Sequence, residues 1–270
     1  MATRTVKGGD LGRFLLAAGL GVVLGVIGCA PAHEKALIVG MELNYPPFEM
    51  IDQMGRPAGV SFDLALALGK YTGQEVQVEN IPFDGLIPAL KTGKIDLIVS
   101  SMTATPERAL SIAFSEPYLH TGLCLLVSRR ANVHSIEQAD QAGYTIAVKQ
   151  GTTGQLYARG RLRKAQVLVL EKEDACVLEV VQDKAQAFIY DQISVLKQWQ
   201  LHHNTTEALL KPFQAEDWAI GLRRGDDGLR AGVNAFLGAF RTEGGFQRLG
   251  DRYLKEEKEA FQKLGVPFDF

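Results

Sequence analysis

Ile95-Asp96-Leu97-Ile98-Val99-Ser100-Ser101-Met102-Thr103-Ala104-Thr105-Pro106-Glu107-Arg108 decides how this chain reads. Residues 95–99 are an apolar run of strand length. Thr105 reads as an N-cap and Pro106 as the first helical position, so a helix opens behind the strand. The hydroxyls of Ser101 and Thr103, the free N–H groups of the helix start and the Arg108 guanidinium then converge at a strand's carboxyl end. A helix N-terminus favours an anion, and a guanidinium matches the two oxygens of a carboxylate. The stretch reads as a carboxylate receptor. As an ordinary strand-to-helix turn it would leave Arg108 in solvent.

Outward from this stretch, strand and helix patterns alternate. Upstream, residues 37–40 read as a strand, and Phe62, Leu64, Ala65, Leu66 and Leu68 belong to a helix that Gly73 stops. Val76 and Val78 alternate with polar residues, as in a strand. Residues 86–90 begin a helix closed by Gly93. The order is βαβαβ, which predicts a mostly parallel sheet with helices on its faces. Downstream the pattern repeats: strand 144–149, helix 151–163, strand 167–170, helix 174–183 and strand 187–190. Residues 121–128 and 218–222 read as strands that cross between the two runs, and two helices follow, one from Leu229 to Phe240 and one from Phe246 to Phe261. The expectation is an α/β protein of two lobes, residues 36–121 with 218–270, and residues 122–217. Two mixed sheets flanked by helices are joined by two crossing hinge strands, with a cleft between. In open α/β sheets ligands bind beyond the carboxyl ends of the strands.

Composition agrees with a folded, water-soluble body. Of 270 residues, 46% are hydrophobic and 22% charged. The net charge is -2; Arg4, Lys7 and Arg13 outweigh Asp10 by two in residues 1–28, so the remainder carries about -4. A mildly acidic body lacks the basic footprint that nucleic acid requires. The basic start precedes the apolar run 14–27, the form of a secretory signal. Val26-Ile27-Gly28-Cys29 resembles the lipobox of bacterial lipoproteins, in which the Cys is acylated. Residues 1–28 therefore read as a lipoprotein signal peptide and 29–35 as a linker. Cys124 and Cys176 sit in apolar settings and read as buried filler, with a disulfide as the alternative. There is no GxxxxGK[ST], CxxC or GxSxG motif, and His33, His120, His134, His202 and His203 lack metal-ligand spacing. No cofactor or metal is expected.

The segments 40–49 (Gly-Met-Glu-Leu-Asn-Tyr-Pro-Pro-Phe-Glu), 59–65, 83–90, 101–108, 114–118, 148–153, 190–191 and 221–226 together resemble the polar amino-acid-binding proteins, the solute receptors of ABC importers. The resemblance spans nearly all of the chain after the leader. It implies the two-lobed periplasmic-binding-protein fold of type II and a ligand held between the lobes. It implies that Arg108, with Ser101 and Thr103, holds an α-carboxylate, helped by Thr153 from the second lobe, and that Ser100 and Thr152 also belong to the ligand-binding set. Asp191 would take the α-ammonium; as a residue at a strand end it also reads as the N-cap of the following helix. Tyr45 and Phe83 would form the walls, and Glu42 and Lys149 would read the side chain.

The resemblance also implies partners: an L-amino acid, a permease and ATPase in the membrane, and the membrane itself through Cys29. A monomer, exported and lipid-anchored, is expected. Cyclohexadienyl dehydratases are similar and use a cleft carboxyl as general acid, for which Glu42 is the nearest group. The Arg108–Asp191 pair suits an α-amino acid instead, so the reading is a binding protein and not an enzyme. A ligand-sensing subunit of a signalling receptor would need a separate partner. With Glu42 and Lys149 both facing the ligand, a glutamine-like side chain ranks first, a basic one next and an acidic one last. If the two pair with each other, their charges cancel and the walls decide.

Overall fold

Residues 36–268 and 270 are described by the computed structural model. The expected signal peptide, the linker and the expected lipidation at Cys29 lie outside the described residues. The first run is β1 (Leu37–Met41), a small hairpin of β2 (Met50–Ile51) and β3 (Pro57–Ala58), α1 (Val60–Thr72), β4 (Val76–Asn80), α2 (Leu86–Lys91), β5 (Leu97–Ile98) and α3 (Pro106–Ala109). Strand β6 (Ala113–Ser128) leads into α4 (Ile136–Ala139), β7 (Thr145–Lys149), α5 (Thr153–Arg161), β8 (Gln166–Leu170), α6 (Glu173–Val181), β9 (Ala187–Asp191) and α7 (Gln192–His202). Strand β10 (Thr206–Leu222) returns, followed by α8 (Asp227–Thr242), α9 (Gly245–Tyr253) and α10 (Lys255–Leu264).

The main sheet has the order β4-β1-β5-β10-β6-β9-β7-β8. β1 runs parallel to β4 and β5, and β7 runs parallel to β8 and β9. Between these parallel trios lie β6 and β10, antiparallel to each other. Gly221 and Leu222 of β10 pair with β5, while residues 123–127 of β6 pair with β9. The long strands thus belong to both trios, and the ladder links what the sequence divides into two sheets. At 16 and 17 residues they far exceed the expected 121–128 and 218–222. Pro117 and Pro212 break the apolar pattern inside them, as proline does in strands. Register shifts between Leu209 and Gln214, and around Ala219, absorb the irregularity.

The helices follow their sequence signals closely. Gly73 ends α1 in the left-handed region (φ 74°), its N–H on the Gly69 carbonyl, a conformation that favours glycine. In α8, Val233, Phe236 and Leu237 are buried at helical spacing, one face against the core. The last expected helix breaks at Leu254 into α9 and α10. One core runs through both trios, from Val39, Met41 and Leu97 through Trp218 and Leu126 to Ala147 and Phe188, while smaller ones gather Leu125, Val127, Ile146 and Ile189 at β7 and β9 and Leu86, Leu90, Ile95 and Ile98 beside β5. Fully burying each such side chain contributes roughly 1.5–3 kcal/mol.

Cys124 and Cys176 are both buried and unbonded. Burial pushes the Cys176 thiol up to about 12, so it stays protonated and inert. Among the described residues no helix is long and apolar enough to cross a membrane.

Candidate ligand-binding site

After β5 the chain turns sharply at Ser101, which adopts a left-handed φ of 47°, an uncommon conformation for serine. That turn fans the hydroxyls out. Ser100 Oγ accepts the Glu42 N–H at 3.0 Å. Ser101 Oγ donates to Glu49, 2.9 and 3.2 Å from its two oxygens. Thr103 Oγ1 donates to Glu216 at 3.0 Å. Thr105 caps α3, as expected, by accepting the Arg108 N–H at 3.2 Å. Yet α3 has only four residues. The helix-start contribution expected for an anion is therefore small, and one of its N–H groups is already used.

The guanidinium is the buried cation of this turn. Arg108 is buried; its Nη1 donates to the Thr103 carbonyl at 2.7 Å and its Nη2 to the Gly151 carbonyl at 3.0 Å. Two of its five N–H groups are thus held by carbonyls. Its carbon lies 5.5 Å from the Phe83 ring centroid. Burial lowers its pKa to about 10, against the pull of Glu216, so it stays charged near neutrality.

The β7 side supplies the facing wall. Thr152 caps α5 and its hydroxyl donates to the Lys149 carbonyl at 2.7 Å. Gly151, at φ 76°, lies so close to Asp84 that an added Cβ would stand 2.9 Å from the Asp84 Cβ. Asp191 caps α7: its Oδ1 accepts the N–H groups of Ile193 and Ser194, each at 3.0 Å. The same oxygen accepts the Tyr45 hydroxyl at 2.7 Å. Asp191 therefore combines the cap with a place on the cleft wall, and burial raises its pKa against these hydrogen bonds.

Several polar contacts cross from the β1 side to the β7 side. They include Arg108 to Gly151, Tyr45 to Asp191, Gln150 to Asp84 at 2.5 Å, Lys197 to the Pro46 carbonyl at 2.9 Å, and an ion pair between Lys149 and Glu42. Ten of the eleven expected ligand-binding residues line one cavity. Lys149 is the exception, and it takes the alternative in which it pairs with Glu42. Its side chain is 2% exposed, held by Glu42 and 5.6 Å from the Phe83 centroid. Phe83 therefore carries two protein cations, and Glu42 and Lys149 offset one another.

Sequence reasoning missed Glu49, Glu216, Tyr190 and Trp218, which share the cavity wall. The signal for Glu216 was present: Gln214, Glu216 and Trp218 alternate along β10 and so share a face. Glu216 is buried, and burial raises its pKa. Glu49 is 1% exposed, bonded by Ser61 and Ser101, and burial raises its pKa to about 8 against those two hydroxyls. Among the described residues no group of three or more His, Cys, Asp or Glu side chains is arranged to hold a metal.

Two α/β halves sharing two long strands, with a polar cavity between them, define a solute-binding protein. The sequence profile of the bacterial extracellular solute-binding proteins, family 3, matches residues 37–256, and the chain belongs to that family. It is 31% identical over 233 residues to an L-arginine-binding protein of Pseudomonas aeruginosa, covering 83% of this chain and 89% of that one. Among solved structures it resembles a putative binding component of an ABC transporter from Wolinella succinogenes, complexed with lysine (TM-score 0.75, 32% identity, 81% and 95% covered). It also resembles an ancestral amino acid-binding protein described as a precursor of cyclohexadienyl dehydratase (TM-score 0.75, 32% identity, 82% and 96% covered).

Proposed function

We propose that this protein is the receptor of an ABC-type amino-acid importer, capturing a polar L-amino acid, glutamine-like or basic. The observation that carries this reading is the pairing of Arg108 and Asp191 on the wall of one cavity, the first beyond β5 and the second at the end of β9. A free α-amino acid presents a carboxylate and an ammonium on one carbon, and these are the matching charges. Arg108 takes the carboxylate, with Ser100, Ser101 and Thr103 beside it and Thr152 and Thr153 across the cleft. Asp191 takes the ammonium in place of the Tyr45 hydroxyl, whose ring forms a wall with Phe83, and Glu42 borders the side chain. Residues 36–121 with 218–270, and 122–217, act as lobes that close about β6 and β10. A ligand touching both lobes favours the closed state.

Export follows from the leader, and acylation at Cys29 holds the receptor beside its permease and ATPase, as a monomer. A dehydratase reading has less support, because its acid, Glu42, is tied to Lys149. Calorimetry with the twenty amino acids tests the proposal on the parent, Arg108→Ala and Asp191→Asn. Removing one partner of a buried charge pair typically costs about 3–5 kcal/mol, so each variant should bind at least a hundredfold more weakly. Near-normal affinity in both variants, or no amino-acid ligand for the parent, would overturn it.

A further inference from the structure

Groups that the reading above gives to the ligand's α-carboxylate are already engaged by a carboxylate of the protein. Glu216 lies on β10, opposite Thr121 of β6, in the ladder between the two trios. It is buried and lines the same cavity as Thr103, Arg108 and Thr153. Its Oε2 accepts the Thr103 hydroxyl at 3.0 Å, from the β1 side. The Thr153 side chain, from the β7 side, is a second hydrogen-bonding neighbour. Gln214 Nε2 donates to Oε1 at 3.2 Å and steadies the group from its own strand. The charge of Glu216 also attracts the Arg108 guanidinium. One carboxylate of the chain thus draws, from both sides of the cleft, on three of the side chains that a ligand carboxylate would use.

A threonine hydroxyl carries a single proton. While Thr103 donates that proton to Glu216, its hydroxyl has only lone pairs left for the cavity, and these repel a second carboxylate. The same holds for Thr153. A ligand carboxylate must therefore take these protons from Glu216, and it must settle beside a like charge as it does so. Both effects oppose binding. We infer that Glu216 is a tethered rival of the ligand's α-carboxylate: it competes for Thr103, Thr153 and Arg108 and so sets the affinity for every amino acid that the cleft accepts. This deepens the receptor reading and rests on it. The contacts of Glu216 lie at the α-carboxylate end of the cavity. It therefore weakens different amino acids by a similar factor and leaves their ranking alone. When the lobes part, the tethered carboxylate reclaims its donors, which favours release.

Glu216→Gln keeps the shape and removes the charge. Its amide can donate to Thr103 Oγ1, which reverses that hydrogen bond and frees the threonine proton for the ligand. The test is calorimetry of the full mature protein and of this variant with the twenty L-amino acids. The decarboxylated amine of each amino acid that binds, agmatine for arginine, is the control. Every amino acid that binds the parent should bind the variant at least tenfold more tightly, by a similar factor. The amines keep the ammonium and the side chain but lack the carboxylate, so they should not gain. Unchanged or weaker amino-acid binding in the variant would overturn the inference. So would an equal gain for the amines, because the variant would then only ease closure. If the variant fails to fold, a crystal structure of the parent with its amino acid decides. Thr103 Oγ1 should have turned from Glu216 to the ligand carboxylate, and a retained bond to Glu216 would overturn the inference. Each of these failures leaves the receptor reading standing. Absence of any amino-acid ligand for the parent would overturn both.

Discussion

Replacing Lys149 with Met separates the charge of the cleft from its shape. The ammonium is buried, its side chain 2% exposed, and the Glu42 carboxylate it holds is 15% exposed on the cavity wall. Met fills most of the same space, so the main change is that Glu42 is left with an uncompensated negative charge. A ligand cation about 6 Å from that charge, at an effective dielectric constant of about 20, gains roughly 3 kcal/mol. Relaxation and water entry reduce this, so the affinity ratio of arginine to glutamine should rise about 10- to 100-fold. Taking the ratio cancels any change in the cost of closing. The ligand-free protein should respond in the opposite sense. Breaking a buried pair typically costs about 3–5 kcal/mol, and Glu42 recovers part of that by rehydrating at the cleft. A loss of roughly 1–3 kcal/mol, at about 2–4 °C per kcal/mol, lowers Tm by about 3–10 °C. Calorimetry and thermal unfolding read the two effects. A ratio unchanged within twofold would refute the reasoning, because the Lys149 charge would then not reach the ligand.

Two further outcomes test the motion and the anchor. Gly151→Val should prop the cleft open, since its first side-chain carbon would stand 2.9 Å from the Asp84 Cβ; small-angle scattering should show ligand-induced compaction in the parent and none in the variant, and equal compaction would count against closure at this contact. Cys29→Ser should leave unprocessed, unlipidated protein; acyl label on that variant would rule out anchoring at this residue.

Much of this molecule is readable one element at a time. The stop at Gly73, the cap at Thr105 and the cap at Asp191 each depend on neighbours within a few residues, and local chemistry is what a sequence exposes. What was hidden depends on distance. Lys149 and Glu42 are 107 positions apart, and nothing local tells an ion pair from two ligand contacts. Glu49 follows a Pro-Pro-Phe turn that looks solvated; its burial comes from Ser61 and Ser101 folding over it. The two long strands were legible only in part, about half of β6 and a third of β10, because Pro117 and Pro212 mimic strand ends.

The sharing of β10 between the two strand trios also sets a timetable. β5 is covered on one side by β1, but its other edge waits for Gly221 and Leu222. All of the β7 trio precedes those residues in the chain. A chain emerging N-terminus first can therefore finish the later half before the earlier one. Until its last fifth appears, the first half has an open strand edge and lacks α8, α9 and α10, which pack against α1 and α7. An open edge invites pairing with other chains. Its protection is deferred to the final segment, so loss of that segment would strand the turn at Ser101 beside an uncovered edge.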